Sequence, residues 1–181
     1  MENQLSAMKS KVEEIPVPAG SRLAGRLHNS YFMDAYKVRL PDGQTTAMEI
    51  LLRIMARTPP WVNRLMALRN RIVALFGLKD VGLLEIKQHK PAAEYVIGDQ
   101  VGIFTLQSIE DQEVIAGILD SHLDVSVSIY KISFDDHDEV AVSTVVWVHN
   151  LLGKAYMLLI TPFHRIISRK MTSYAARAPV K

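Results

Sequence analysis

No cysteine occurs among the 181 residues. That excludes a disulfide framework, a thiol nucleophile and thiolate-held zinc or iron–sulfur centres, and it fits a reducing compartment. Long apolar runs are missing as well. The longest, Ala155–Ile160 and Ile72–Phe76, fall far short of the roughly 20 residues that span a bilayer. The first twenty residues, MENQLSAMKSKVEEIPVPAG, hold no apolar stretch of the kind a secretory signal needs, so the expectation is a cytoplasmic protein without a transmembrane segment. There is no GxGxxG, no GxxxxGK[ST] and no GxSxG, which leaves nucleotide-binding and nucleophile-elbow chemistry without support. Aromatics make up 7% of the chain and are not interleaved with bases along a strand; no nucleic-acid partner is expected. The histidines at 28, 89, 122, 137, 149 and 164 show no HxH or HExxH spacing, so neither a metal nor a cofactor is expected. The acidic loop 135–139 lacks the alternating aspartates of a calcium loop and reads as a hairpin turn.

What remains is an ordinary globular composition, 49% hydrophobic and 22% charged. It suits one domain large enough to bury a core without staples. The net charge is only +2, but it is unevenly spread. Residues 109–140 carry nine acids against Lys131 alone, residues 149–181 carry six Lys/Arg and no acid, and residues 46–78 carry five Arg against Glu49. Either these are solvated faces, or the basic side meets an anionic partner such as a membrane surface.

In chain order, residues 1–20 read as a flexible arm punctuated by Pro16 and Pro18. Ser30–Leu40 has strand composition and ends at Pro41-Asp42-Gly43. Thr45 or Thr46 caps a first helix running to about Arg57, with Met48, Leu51, Leu52 and Met55 on one side. Thr58-Pro59-Pro60 breaks it and opens a second, whose apolar stripe is Trp61, Leu65, Leu68, Ile72 and Leu75, closed by Gly77. Residues 79–100 read as a long connection with at most a short strand. Strands are expected at Val101–Ile109, Glu113–Leu119, Leu123–Phe134 and Val140–Val148. His149–Ala178 reads as a long terminal helix capped by Asn150. Its stripe is Tyr156, Ile160, Phe163, His164, Ile167 and Met171, and Pro162 predicts a kink near Met157–Thr161.

The order is an α+β arrangement with helices on one side of a curved antiparallel sheet. YFMDAYKV (31–38), the Arg57-Thr58-Pro59-Pro60-Trp61 entry to the second helix, DSHLDVSVSIY (120–130) and LGKAYMLLITPFHRII (152–167) are similar to a bacterial family of domains of unknown function. That family is usually placed in the START-related (SRPBCC) helix-grip superfamily, and the resemblance covers roughly Val17 to Thr172. It implies a single helix-grip domain over residues 21–178. It also implies a cavity between sheet and terminal helix of the sort that holds lipids, polyketides or other apolar small molecules. It brings no established active site.

Candidate site residues follow from both readings. One parity of the first strand is Phe32, Asp34, Tyr36, Val38, Leu40, so Asp34 is expected inside and in need of a partner. It can orient a ligand hydroxyl, act as a base, or simply hold a basic side chain or backbone N–H. His164, on the buried stripe, can contact a ligand near neutral pH or be structural. His122 and Asp124 lie within reach of each other, as a carboxylate-oriented imidazole or as an exposed strand start. Tyr36, Phe104, Trp147, Tyr156 and Ile160 can line a cavity or fill a core. Three functions stay open: an apolar-ligand binding domain, a cyclase, dehydratase or hydrolase using the same cavity with Asp34 and His164, and a docking domain that uses its basic helices.

Overall fold

The computed structural model of the chain describes residues 11–41, 45–74, 84 and 90–177. A seven-stranded antiparallel sheet runs in the order β1-β2-β7-β6-β5-β4-β3. Its strands are β1 (Glu13–Ile15), β2 (Phe32–Arg39), β3 (Gln100–Val101), β4 (Phe104–Ile109), β5 (Glu113–Leu119), β6 (Leu123–Ser133) and β7 (Asp138–Val148). Among the described residues three α-helices accompany it: α1 (Ala47–Met55), α2 (Pro60–Ala74) and α3 (Leu151–Thr172). This is the expected α+β, helix-grip-like arrangement, with the helix pair after the first long strand and the long helix last.

Register places one face of the sheet inward. Phe32 opposes Val146, Asp34 opposes Thr144 and Tyr36 opposes Val142, while Val125, Val127 and Ile129 continue that face across β6. Because side chains alternate, the neighbours of these residues point to the other face. There the carboxylate of Glu113 is buried and takes hydrogen bonds from the hydroxyls of Ser21 and Ser128, both at 2.5 Å, and from the Arg22 N–H at 2.8 Å. These contacts clamp residues 20–23 over the outer face, and Leu23 is fully buried beneath them. A segment read as the end of an arm also adds β1 to the edge of the sheet, pairing with β2. Residues 1–10 lie outside the described residues.

Local chemistry accounts for the helix starts. Thr46 caps α1 in a capping box with Glu49. Asn150 caps α3 by accepting from Gly153 N at 3.0 Å. α3 runs unbroken through Pro162. The ring removes the donor that Leu158 O would receive, and Thr161 Oγ1 bonds back to Met157 O at 2.6 Å, a contact that tends to bend helices.

Three features differ from the sequence reading. The strand expected at Val101–Ile109 is two, split by a turn at Gly102, whose φ is 62°. The terminal helix ends at Thr172 rather than near Ala178. α2 packs through Val62, Leu65 and Met66, and Trp61 and Leu68 are exposed instead of buried. Leu75 and Gly77 lie outside the described residues, as does most of the 79–89 connection.

Candidate functional site

Between the inner face of the sheet and the three helices lies a cavity of about 420 Å³, within the range of small-molecule sites. Its walls are almost wholly apolar: Val114, Ala116, Val125 and Val127 from the sheet, Leu51 and Met55 from α1, Ile160 and Ile167 from α3. Leu68 of α2 and Leu159 and Phe163 of α3 both line it and are exposed, so it opens between those two helices. Arg69 spans that opening. Its Nε donates to the Tyr156 hydroxyl at 3.2 Å and its guanidinium lies 5.3 Å from the centre of the same ring.

Polar groups reach the wall at two places. The first is His164, two turns along α3 from Tyr156. Its Nε2 lies 3.3 Å from Asp34 Oδ1 and 3.0 Å from Ser168 Oγ, and its ring meets Phe32 edge-on at 5.5 Å. The second Asp34 oxygen, Oδ2, is buried without a hydrogen-bond partner among the described residues. Helical spacing brings Ser168 to His164 at i+4, and the β2–β7 register brings Asp34 under them. This is not a Ser-His-Asp relay. A relay needs the carboxylate and the nucleophile on opposite ring nitrogens, whereas here both sit at Nε2.

The second place is the turn between β5 and β6, where Asp120 and His122 join Tyr156 at the wall. His122 is 1% exposed, so it is not the exposed strand start that one reading of the sequence allowed. Its ring stands edge-on to Tyr156 at 5.8 Å. Its Nδ1 is 3.3 Å from Asp120 Oδ1 but off the line of a hydrogen bond, and Nε2 is likewise unbonded among the described residues. Asp124 pairs instead with His149, at 3.1 Å. Burial alone would raise the Asp120 carboxyl. The Ser121 N–H, the neighbouring His122 and the Ser121 hydroxyl outweigh it and hold the group below the usual carboxylate range.

Of the seven residues the sequence nominated, Phe104, Tyr156, Ile160 and His164 line the cavity. Asp34 touches it only through His164. Tyr36 does not line it: the ring is packed in the main core. Burial, then the charges of Asp34 and Glu14, push its hydroxyl above the ordinary tyrosine range. Trp147 does not line it either. It shares the outer parity of β7 with Val145, and its Nε1 donates to His28 O at 3.2 Å. Sequence reasoning missed Asp120, Arg69 and Ser168 as wall residues. Ser168 was within reach of helical spacing, one turn after His164; Asp120 sits in a turn, where no periodicity applies.

Residues 26–171 match a family described as "Protein of unknown function (DUF2867)". The chain belongs to this family. No curated protein and no solved structure matches the chain. The matched span of the DUF2867 family runs from the 3-10 turn at Arg22–Arg26 to the last turn of α3, and so takes in both polar places and every described wall of the cavity. Among the described residues no three His, Asp or Glu side chains converge to hold a metal ion, and no helix is long and apolar enough to cross a membrane.

Proposed function

We propose that this domain binds an apolar small molecule or lipid in the cavity beneath α3. The observation that carries the reading is the cavity itself: about 420 Å³ of nearly all-apolar wall, with one side chain, His164, held at its surface by a buried carboxylate. Filling such a space with side chains would stabilise the fold, so an apolar volume of this size that the side chains leave open supports a ligand-binding role. His164 meets the ligand's polar end, and Asp34 fixes its ring and proton.

Native mass spectrometry on protein purified from its own source, followed by organic extraction, tests this. A reproducible extra mass that leaves on extraction is the expected result. An unliganded protein that also fails to take up a fluorescent fatty acid would refute it. Asp34→Asn should weaken that uptake more than it lowers the melting temperature; equal loss of both would make Asp34 purely structural. A second reading, an enzyme of the cyclase, dehydratase or hydrolase type working in the same cavity, draws on the 3.3 Å Asp34–His164 contact, since a base must be oriented as well as near. Chemical change in the extracted ligand after incubation separates it from simple binding.

A further inference from the structure

α3 is apolar on two sides. The inward stripe, Met157, Ile160, Ile167 and Met171, belongs to the cavity and core. The outward side carries Leu151 and Leu158, both 80% exposed, with Ile166 at 62% and Leu159 at 55%. A surface helix ordinarily presents polar residues there. A lone exposed leucine needs no explanation. Several on one helix, adjoining the exposed Phe163 and Leu68 at the cavity mouth, make a patch that does.

Charge indicates what covers this patch. α2 and α3 together contain Arg64, Arg69, Arg71, Lys154, Arg165, Arg169 and Lys170, and neither helix contains Asp or Glu. A second copy docked through the same face would set these basic helices against each other, which like-charge repulsion disfavours. An anionic bilayer satisfies both features at once, since exposed leucines enter the acyl boundary while the bases meet headgroup phosphates.

We propose that the α2–α3 face around the cavity mouth docks peripherally on an anionic lipid bilayer. Docking there places the mouth against the acyl phase, so an apolar molecule can pass between membrane and cavity without crossing water. That consequence rests on the binding reading above; the docking does not.

Flotation with phosphatidylcholine vesicles, plain or doped with phosphatidylglycerol, tests it on the full chain. The wild type should float with the doped vesicles, and high salt should weaken the association. Leu158→Gln combined with Ile166→Gln should lower partitioning by about tenfold or more. Both sites are exposed, so the melting temperature should not move. Absence of flotation, or flotation unchanged in the double variant, would overturn the proposal. So would a wild-type dimer that the double variant converts to monomer without any vesicle binding, because the face would then be a self-interface. The double variant should still carry any native ligand mass, so failure of docking and failure of cavity binding give different results.

Discussion

Gly153→Ala tests how α3 is seated over the cavity. Gly153 lies in the first turn after the Asn150 cap, where the helix crosses the β5–β6 turn. A Cβ added there would stand 2.3 Å from the carbonyl oxygen of His122 and 2.8 Å from Val148 Cγ1. Even a close carbon–oxygen contact needs about 3.3 Å, so one backbone must retreat by roughly 1 Å. The nearer obstacle, the His122 carbonyl, is main chain, so no rotamer change of Val148 relieves it. Overpacking of this kind costs about 1–3 kcal/mol. Against it stands the helix preference for Ala over Gly, at most about 1 kcal/mol and smaller in a first turn. The clash therefore wins by about 1–2 kcal/mol, or roughly 2–8 °C in melting temperature for a chain of this length. Urea unfolding followed by far-ultraviolet circular dichroism would measure it. Gly25→Ala is the control, because nothing lies within 4 Å of its added Cβ. A Gly153→Ala midpoint equal to or above wild type would show that the helix and turn do not press together as described.

Thr46→Ala removes one half of the α1 capping box and should cost about 0.5–2 kcal/mol by chemical denaturation; no loss would mean the box is not formed in solution. His122→Leu replaces a buried ring with no hydrogen-bonded nitrogen among the described residues by an apolar side chain, a gain set against the lost attraction to Asp120, and should leave stability about unchanged. A clear drop in thermal melting would mean the ring is satisfied by ordered water. Burial raises the Asp138 carboxyl, but its bonds to Ser133 and Lys131 more than offset this and lower it overall. A lowered folded pKa gives stability that is present at neutral pH and lost as pH falls below about 4. The stability gap between wild type and Asp138→Asn should therefore narrow from pH 7 to pH 3, and a gap that widens would contradict the sign.

Much of this architecture was readable from local patterns. Period-two alternation in residues 32–38 named the inward parity of β2 and put Asp34 inside it. Period-3.6 spacing in residues 156–171 named the inward stripe of α3, and Asn150 marked its start. Those signals are local because each depends only on a residue's neighbours in the chain. Trp147 shows where they fail. β7 has Val140, Val142 and Val146 on one parity and Ala141, Val145 and Trp147 on the other, most of them buried, and alternation cannot choose between two buried faces. Leu68 shows a second failure: it lines the mouth of the cavity rather than a filled core. Asp34 and His164 stand 130 positions apart, and only the packing of α3 against β2 brings them into contact. The cavity itself has no sequence signature. A void is the distance at which Gly153, the β5–β6 turn and the α1–α2 pair hold α3 off the sheet, and that distance belongs to the assembled chain alone.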